Sequence, residues 1–209
     1  MTHRFAELMF TPRVRALQEA AGSRASYARF AEPGAPANDR LSAAERGFIA
    51  ARDSFYMASV SETGWPYVQH RGGPVGFLKV LDDRTIGFAD YRGNKQYVSV
   101  GNLGGDNRVS LFLMDYPNQR RLKLLGHARM VSNAEEPDLF NRLQVETTAK
   151  VERGIVIGLE GFDWNCPQHI TPRFSEAELA ETLAPITARL RALEAENAAL
   201  LAERTRPPG

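Results

Sequence analysis

Cysteine is almost absent from this sequence, with Cys166 the one example in 209 residues. A single thiol excludes a framework of disulfides within the chain, and we therefore expect a cytoplasmic protein. No run of 18 or more apolar residues is present, so we expect no membrane span, and Glu7 stands where a signal peptide needs its apolar core. The formal net charge of +1 gives no electrostatic drive toward nucleic acid or an acidic membrane.

Sequence motifs of several enzyme classes are missing as well. There is no GxxxxGK[ST], GxGxxG, GxSxG or HExxH, the patterns of P-loop, dinucleotide-fold, hydrolase and zinc-protease sites. Cys166 and His169 form a single C-x-x-H, whereas a structural zinc site needs about four ligands. We therefore predict no metal site. The same pair is a poor nucleophile and base, because residues three apart around a proline seldom align for that role.

Lysine is scarce: arginine supplies 22 of the 26 basic residues. A GC-rich genome explains most of this excess. Arginine also suits bidentate binding of phosphate, so positions where a cation adjoins glycine deserve separate inspection.

Short apolar segments separated by turn residues occupy the middle of the chain. They predict strands of an antiparallel barrel, closed or half closed, and most connections are too short for the crossover helices of a parallel sheet. The predicted strands are residues 55–60, 67–71, 75–80, 85–89, 109–114, 121–131 and 155–159. Helical patterns cover residues 4–21, 42–52 and 133–146, the second opened by a capping box of Ser42 and Glu45. Residues 1–40 are interpreted as a helical arm with an irregular linker.

The tail, residues 175–209, has the most regular pattern. After a second capping box of Ser175 and Glu178, apolar residues alternate spacings of three and four. The resulting heptad has Leu183, Leu190 and Asn197 at position a, and Ile186, Leu193 and Leu200 at position d. This pattern favours a dimer-forming helix. An amphipathic helix lying on its own domain is the alternative that remains open.

Two segments place a cation beside glycine and together suggest a phosphate cradle. In the first, Arg71 is followed by Gly72-Gly73, which lets a ligand approach the backbone closely. In the second, directly after a strand, Gly93-Asn94 exposes amides next to Lys95, and a helix starting near Gln96 would add its dipole. Of the tandem Arg120 and Arg121, only one can face a given site, because adjacent strand residues point to opposite faces.

These residues resemble a known family, the split-barrel flavin-binding proteins related to pyridoxamine 5'-phosphate oxidase. The resemblance covers about residues 41–173 and rests on the order and spacing of several short motifs. They are Phe-Tyr-Met-Ala-Ser-Val at 55–60, Gly-Trp-Pro-Tyr at 64–67, His-Arg-Gly-Gly at 70–73, Gly-Asn-Lys-Gln at 93–96, Asn-Arg-Val-Ser-Leu-Phe at 107–112 and Asp-Trp-Asn-Cys-Pro-Gln-His-Ile at 163–170.

The resemblance implies a mainly β fold, an antiparallel split β-barrel at residues 41–174 with flanking helices and a long C-terminal helix. It also implies a homodimer that holds FMN at the interface of two barrels. Arg71 and Lys95 would hold the FMN phosphate, with Arg121 close to it as a contribution from the partner subunit. The other candidate cofactor-binding residues are His70, Gly72, Ala89, Asp90, Asn94, Trp164 and Gln168, of which Trp164 and Gln168 would close over the flavin.

One departure bears on the activity that the resemblance implies. The vitamin oxidases carry a Trp followed by Arg-x-His-x-Arg, whereas this chain has Gln-His-Ile-Thr-Pro-Arg at 168–173. We therefore expect an FMN-dependent oxidoreductase whose substrate the sequence does not reveal, with His70 or His169 as candidate proton donors. The alternatives are a flavin-binding or sensing module without turnover, and a binder of deazaflavin or haem. Haem would need an axial ligand from His70, His127 or His169.

Overall fold

Seven antiparallel strands form one sheet in the computed structural model, which describes residues 3–32, 34–164 and 167–204. The strand order across the sheet is β2-β1-β5-β6-β7-β4-β3. The strands are β1 (Ser54–Val60), β2 (Pro66–Gly72), β3 (Lys79–Val80), β4 (Thr85–Tyr91), β5 (Arg108–Asp115), β6 (Arg120–Val131) and β7 (Val151–Trp164). The short connections between them exclude a parallel sheet, as the sequence predicted.

The sheet curls until strands from its two ends meet. Although β2 and β4 are far apart in the strand order, Arg71 Nη1 on β2 lies 2.5 Å from Asp90 Oδ1 on β4. Inside the curl, the ring of Phe55 packs on those of Phe77 and Phe88, with centroids 5.7 and 5.2 Å away. The predicted fold class, an antiparallel split β-barrel with flanking helices, is confirmed.

Buried and exposed side chains alternate along the strands, and this alternation distinguishes the inner face of the barrel from its outer face. In β1, Phe55, Met57 and Ser59 are buried while Tyr56 is exposed, the pattern of a strand with one face on the core. The register aligns Tyr56 with His70 of β2. Tyr56 is also aligned with Phe112 of β5, so the outer face carries several large side chains.

Six α-helices are present among the described residues. They are α1 (Arg4–Met9), α2 (Pro12–Ala20), α3 (Ala43–Ala50), α4 (Val98–Gly105), α5 (Pro137–Arg142) and α6 (Glu176–Arg204), with a 3-10 helix at Arg24–Ala31. The predicted capping box of α3 is confirmed, since Ser42 and Glu45 bond reciprocally. The arm predicted as one helix at 4–21 is two helices, because Thr11 caps a new helix that begins at Pro12.

Two predicted elements are shorter in the structure. The strand predicted at residues 75–80 is reduced to β3, because Gly76 has a φ of +78° and the Phe77 amide closes a turn on the Pro74 carbonyl. The helix predicted at 133–146 is α5 alone. Pro137 occupies the first turn of α5, where proline is favoured, and so sets its start.

The long helix α6 begins after Ser175, whose hydroxyl and amide both bond to Glu178 Oε2, so the second capping box is confirmed as well. Every side chain of α6 that the structure describes is exposed. The structure therefore does not place α6 on its own domain.

Candidate functional site

A small cavity of about 80 Å³ lies between β2, β4 and the loop that joins β4 to α4. Side chains alternate between the two faces of β2, so Tyr67, Gln69 and Arg71 all point toward this cavity. From β4, the successive residues Asp90 and Tyr91 both line the cavity, because the register with β7 shifts between them. The remaining lining residues are Gly93, Asn94, Lys95, Gln96, Tyr97, Val98, Ser99, Val100 and Glu152.

Arg71 is fixed in this cavity by a buried carboxylate. Its Nη1 donates to Asp90 Oδ1 at 2.5 Å, and Arg153 Nε lies 3.6 Å from the other Asp90 oxygen. Burial raises the pKa of Asp90, and the positive charges of Arg71 and Arg153 oppose that rise without cancelling it. Asp90 therefore orients Arg71 while leaving most of the guanidinium donors directed elsewhere.

Two buried polar atoms at the cavity find no partner among the residues that the structure describes. They are Arg71 Nε and the Tyr91 hydroxyl, and burial also raises the pKa of Tyr91. A buried donor without an acceptor costs about 1–3 kcal/mol, so such atoms call for an explanation. Both atoms could donate to an oxygen-rich ligand.

The loop after β4 supplies the other cation and a helix end. Lys95 and Tyr97 have φ values of +61° and +53°, left-handed conformations that non-glycine residues seldom adopt. Such conformations concentrate at functional sites. Asn94 Oδ1 accepts a hydrogen bond from the Gln96 amide at 3.2 Å and so holds the turn before Lys95.

Helix α4 begins at Val98, two residues later than predicted, and Tyr97 gives it no side-chain cap. Residues of its first turn, Val98 to Val100, line the cavity, and Ser99 Oγ donates to Gln69 Oε1 at 2.8 Å. An uncapped helix N-terminus favours negative charge. With Arg71 and Lys95, the cavity is chemically suited to bind a phosphate group.

Three other predicted site residues do not line this cavity. His70 and Gly72 lie on the opposite, outer face of β2, where the ring of His70 meets that of Tyr56 at 5.5 Å. A Cβ on Gly72 would lie 3.1 Å from His70 Cε1, so these two positions are tightly packed against each other. Ala89 is buried within β4 and aligned with Gly154 of β7.

A second group of predicted residues lies near the far end of β7. Trp164, its last residue, is aligned with Leu122 of β6, and Arg121 lies next to that position with its guanidinium 5.0 Å from the Phe112 ring centre. Gln168 follows in an exposed turn. The cavity of Arg71 and Lys95 is lined by none of Arg121, Trp164 and Gln168.

Trp164 is held by contacts that sequence reasoning did not anticipate. Its indole Nε1 donates to Glu45 Oε1 at 2.8 Å, its ring meets Phe48 edge-on at 4.8 Å, and Arg120 lies 4.7 Å from it. The capping box had revealed Glu45, but no local pattern connects that residue to a tryptophan 119 positions away. Of the tandem arginines, Arg120 therefore contacts Trp164 and Arg121 contacts Phe112.

The described ranges contain no cluster of metal-ligating side chains around the histidines. No group of three His, Cys, Asp or Glu side chains there could hold a metal ion. His127 contacts Asn107 at 2.9 Å and Glu160 at 3.8 Å, and His169 lies in the exposed turn with Gln168. Cys166 falls outside the described residues. None of the helices described is long and apolar enough to cross a membrane.

The outer face of β1, β2 and β5 carries several large exposed apolar and aromatic side chains. Tyr56, Val60, Val68 and Phe112 are all exposed on it, and the strand register places them side by side. Contiguous exposed apolar residues of this kind mark interaction surfaces.

Comparison with known proteins gives one match by sequence and several by structure. The sequence model described as pyridoxamine 5'-phosphate oxidase matches residues 41–160. No curated protein matches the chain. Among solved structures, a conserved hypothetical protein of Mycobacterium tuberculosis is 20% identical, with a TM-score of 0.46 over 67% of this chain and 94% of the other.

Two further solved structures are similar. HupZ of Group A Streptococcus is 12% identical, with a TM-score of 0.46 over 64% of this chain and 99% of the other. An FMN-binding protein of Syntrophomonas wolfei is 13% identical, with a TM-score of 0.43 over 74% of this chain and 97% of the other.

Proposed function

The chain belongs to the pyridoxamine 5'-phosphate oxidase family, and from that premise we propose that it binds FMN, acts as an oxidoreductase and forms a homodimer. The observation that carries the proposal is the cavity at Arg71 and Lys95. It combines two cations, an uncapped helix N-terminus and the unpartnered Arg71 Nε and Tyr91 hydroxyl. These are the donors that a phosphate monoester requires.

Each residue of the cavity has a distinct part in holding the FMN phosphate. Arg71, oriented by Asp90, would donate from Nε and its free Nη group, as guanidinium does to phosphate. Lys95 would add a point charge, and the Tyr91 hydroxyl a further donor. Bound FMN would supply hydride and electron transfer, for which the protein provides binding, orientation and electrostatics.

The distribution of the predicted residues supports the homodimer. Within one chain, Arg71, Asp90, Asn94 and Lys95 gather at one cavity, while Arg121, Trp164 and Gln168 lie near the other end of β7. Two chains that meet through the apolar outer face around Tyr56 would allow each flavin to contact both groups. The two-fold symmetry of such a dimer would create two equivalent sites.

Titration of the purified protein with FMN tests the binding proposal, with flavin fluorescence as the signal. Lys95→Ala removes one charge-assisted contact to phosphate, worth about 1.5–3 kcal/mol, so we expect FMN affinity to fall by about 10- to 150-fold. Riboflavin lacks the phosphate, and its affinity should be the same for Lys95→Ala and the unmodified chain.

The matched control is Arg129→Ala, which removes an exposed cation paired with Glu136 outside the cavity. Its FMN affinity should not change. Equal loss for FMN and riboflavin in Lys95→Ala would mean that the cavity does not hold phosphate. Absence of FMN binding by the unmodified protein would reject the cofactor proposal altogether.

Reaction with a reductant tests the oxidoreductase proposal separately. The FMN-loaded protein is mixed anaerobically with NADH or NADPH, and we expect the oxidised flavin absorbance to bleach. Persistent absorbance with both nucleotides would favour a flavin-binding module without turnover. Sedimentation equilibrium at micromolar concentration should give the mass of two chains, and a monomer would contradict the shared site.

A further inference from the structure

Helix α6 exposes an apolar stripe along its length. Leu183, Ile186, Leu190, Leu193 and Leu200 are between 43% and 62% exposed, and at 1.5 Å per residue the helix is about 44 Å long. In proteins most helical stability comes from packing of the apolar face rather than from propensity, so we expect this face to be covered. The structure describes no element of this chain that buries it.

We propose that α6 pairs with α6 of a second copy of this chain, as a parallel, in-register, two-stranded coiled coil over residues 183–200. The apolar residues occupy positions a and d of consecutive heptads, which bring them to one seam. Pro185, which lies inside the helix, falls at position c. The hydrogen bond that proline removes is therefore lost away from the seam.

Asn197 determines the orientation and the register. It occupies position a among leucines, and in a parallel in-register pair its amide faces the same amide of the second copy, where each can donate to the other. In an antiparallel pair Asn197 would face an apolar side chain, and after a shift of one heptad the Asn197 of one helix would face Leu190. Its buried amide would then lack a partner, which disfavours those arrangements.

The charges beside the seam are complementary in the same arrangement. Arg189 occupies position g and Glu194 the following position e, and in parallel coiled coils these positions face each other across the two helices. Because the two helices are related by two-fold symmetry, the contact between Arg189 of one helix and Glu194 of the other occurs twice. Within one helix the two residues are five positions apart, so they do not form the usual contact between residues three or four apart.

Pairing of α6 does not require the flavin site. Failure of FMN binding would therefore leave the coiled-coil proposal standing, and the reverse also holds. A barrel homodimer would nevertheless support it, because tethering two tails raises their effective concentration and helps a coil of fewer than three heptads to form. The parallel orientation is also the one in which both tails leave a two-fold symmetric dimer in the same direction.

Disulfide trapping in the full-length chain tests the proposal. In a Cys166→Ser background, Leu190→Cys places a thiol in the seam, whereas the control Arg191→Cys places one at the outward position b. After mild oxidation, we expect most of the Leu190→Cys chains and few of the Arg191→Cys chains to run as disulfide dimers. Equal disulfide yields for the two variants would show that residue 190 does not lie in a helix–helix seam, and would overturn the proposal. A sedimentation mass above two chains would overturn it as well.

A charge exchange supplies a second readout, which does not depend on how well cysteine fits the seam. Adding Arg189→Glu to Leu190→Cys sets like charges opposite each other, and the rate of disulfide formation should fall several-fold. Adding Glu194→Arg as well restores opposite charges and should restore the rate. If the rate is unaffected by the first change, or is not restored by the second, the parallel register is wrong.

Discussion

Glu45 is expected to be a major stabilising residue, because it connects the start of α3 to the end of β7. Its Oε2 accepts hydrogen bonds from the Ser42 amide and hydroxyl, at 2.9 and 2.5 Å. Its Oε1 accepts one from Trp164 Nε1 at 2.8 Å. Glu45→Ala would leave the partly buried indole donor without its acceptor, at a cost of about 1–3 kcal/mol.

The same substitution removes half of the capping box, which adds about 1 kcal/mol. We therefore expect Glu45→Ala to lower the free energy of unfolding by about 2–4 kcal/mol. For a chain of this size, that corresponds to a melting temperature about 4–16 °C lower. Glu45→Gln keeps one oxygen acceptor but loses the charge, and should cost about half as much.

The pH dependence separates the charge of Glu45 from its packing. Burial alone would raise the pKa of Glu45, but hydrogen bonds from Ser42 and Trp164 outweigh it, so the pKa is lowered. A lowered pKa gives stability that is complete above the ordinary glutamate value of about 4.3 and is lost as pH falls through the folded-state value. The stability difference between the unmodified chain and Glu45→Gln should therefore be present at pH 7 and shrink below about pH 4.

Urea unfolding followed by tryptophan fluorescence measures these differences. The chain has two tryptophans, and Trp65 is 75% exposed, so a Trp65→Phe background leaves Trp164 as the reporter. A loss below 1 kcal/mol for Glu45→Ala would refute the inferred link between α3 and β7. So would a difference between the unmodified chain and Glu45→Gln that stays constant from pH 7 to pH 3.

Two further predictions concern the strand packing and a surface ion pair. Gly126→Ala should destabilise the chain by about 1–3 kcal/mol in urea unfolding, because a Cβ there would lie 2.4 Å from the Gly158 carbonyl oxygen. Gly101→Ala in α4 meets nothing within 4 Å and should instead stabilise by about 0.5–1 kcal/mol; equal effects would contradict the packing. Hydrogen bonds from Arg108 lower the pKa of Asp106 to about 2, so its NMR titration should move up toward the ordinary aspartate value in Arg108→Met. An ordinary aspartate pKa already in the unmodified chain, or no change in Arg108→Met, would show that the pair does not lower it.

The period of apolar residues predicted most of the strands and, for β1, β2, β5 and β6, both ends to within one residue. These boundaries agree because alternation of buried and exposed side chains is determined locally. At residues 75–80 the apolar pattern persisted while Gly76 turned the chain. The extent of β7 was also underestimated, since its flanking glycines and charged residues have no strand period and are held by cross-strand bonds to β4 and β6.

The candidate site was predictable to the extent that its residues adjoin glycine or a turn. Arg71 and Lys95 were singled out for that reason, and the structure brings both to one cavity. Tyr91 was not, because its contribution depends on the register shift in β4 that turns two successive residues the same way. Shifts of register arise from pairing with a distant strand and leave little trace in local sequence.

Two buried donors of residues that line the cavity have no hydrogen-bond partner among the described residues. They are Arg71 Nε and the Tyr91 hydroxyl, at a cost of about 1–3 kcal/mol each. Asp90 could in principle take both donors, yet its oxygens are directed at Arg71 Nη1 and Arg153. A chain stable only by about 5–15 kcal/mol retains such atoms at a substantial fraction of its stability. An oxygen-rich ligand that accepted these hydrogen bonds would remove that cost, so we expect its binding to stabilise the fold by linkage.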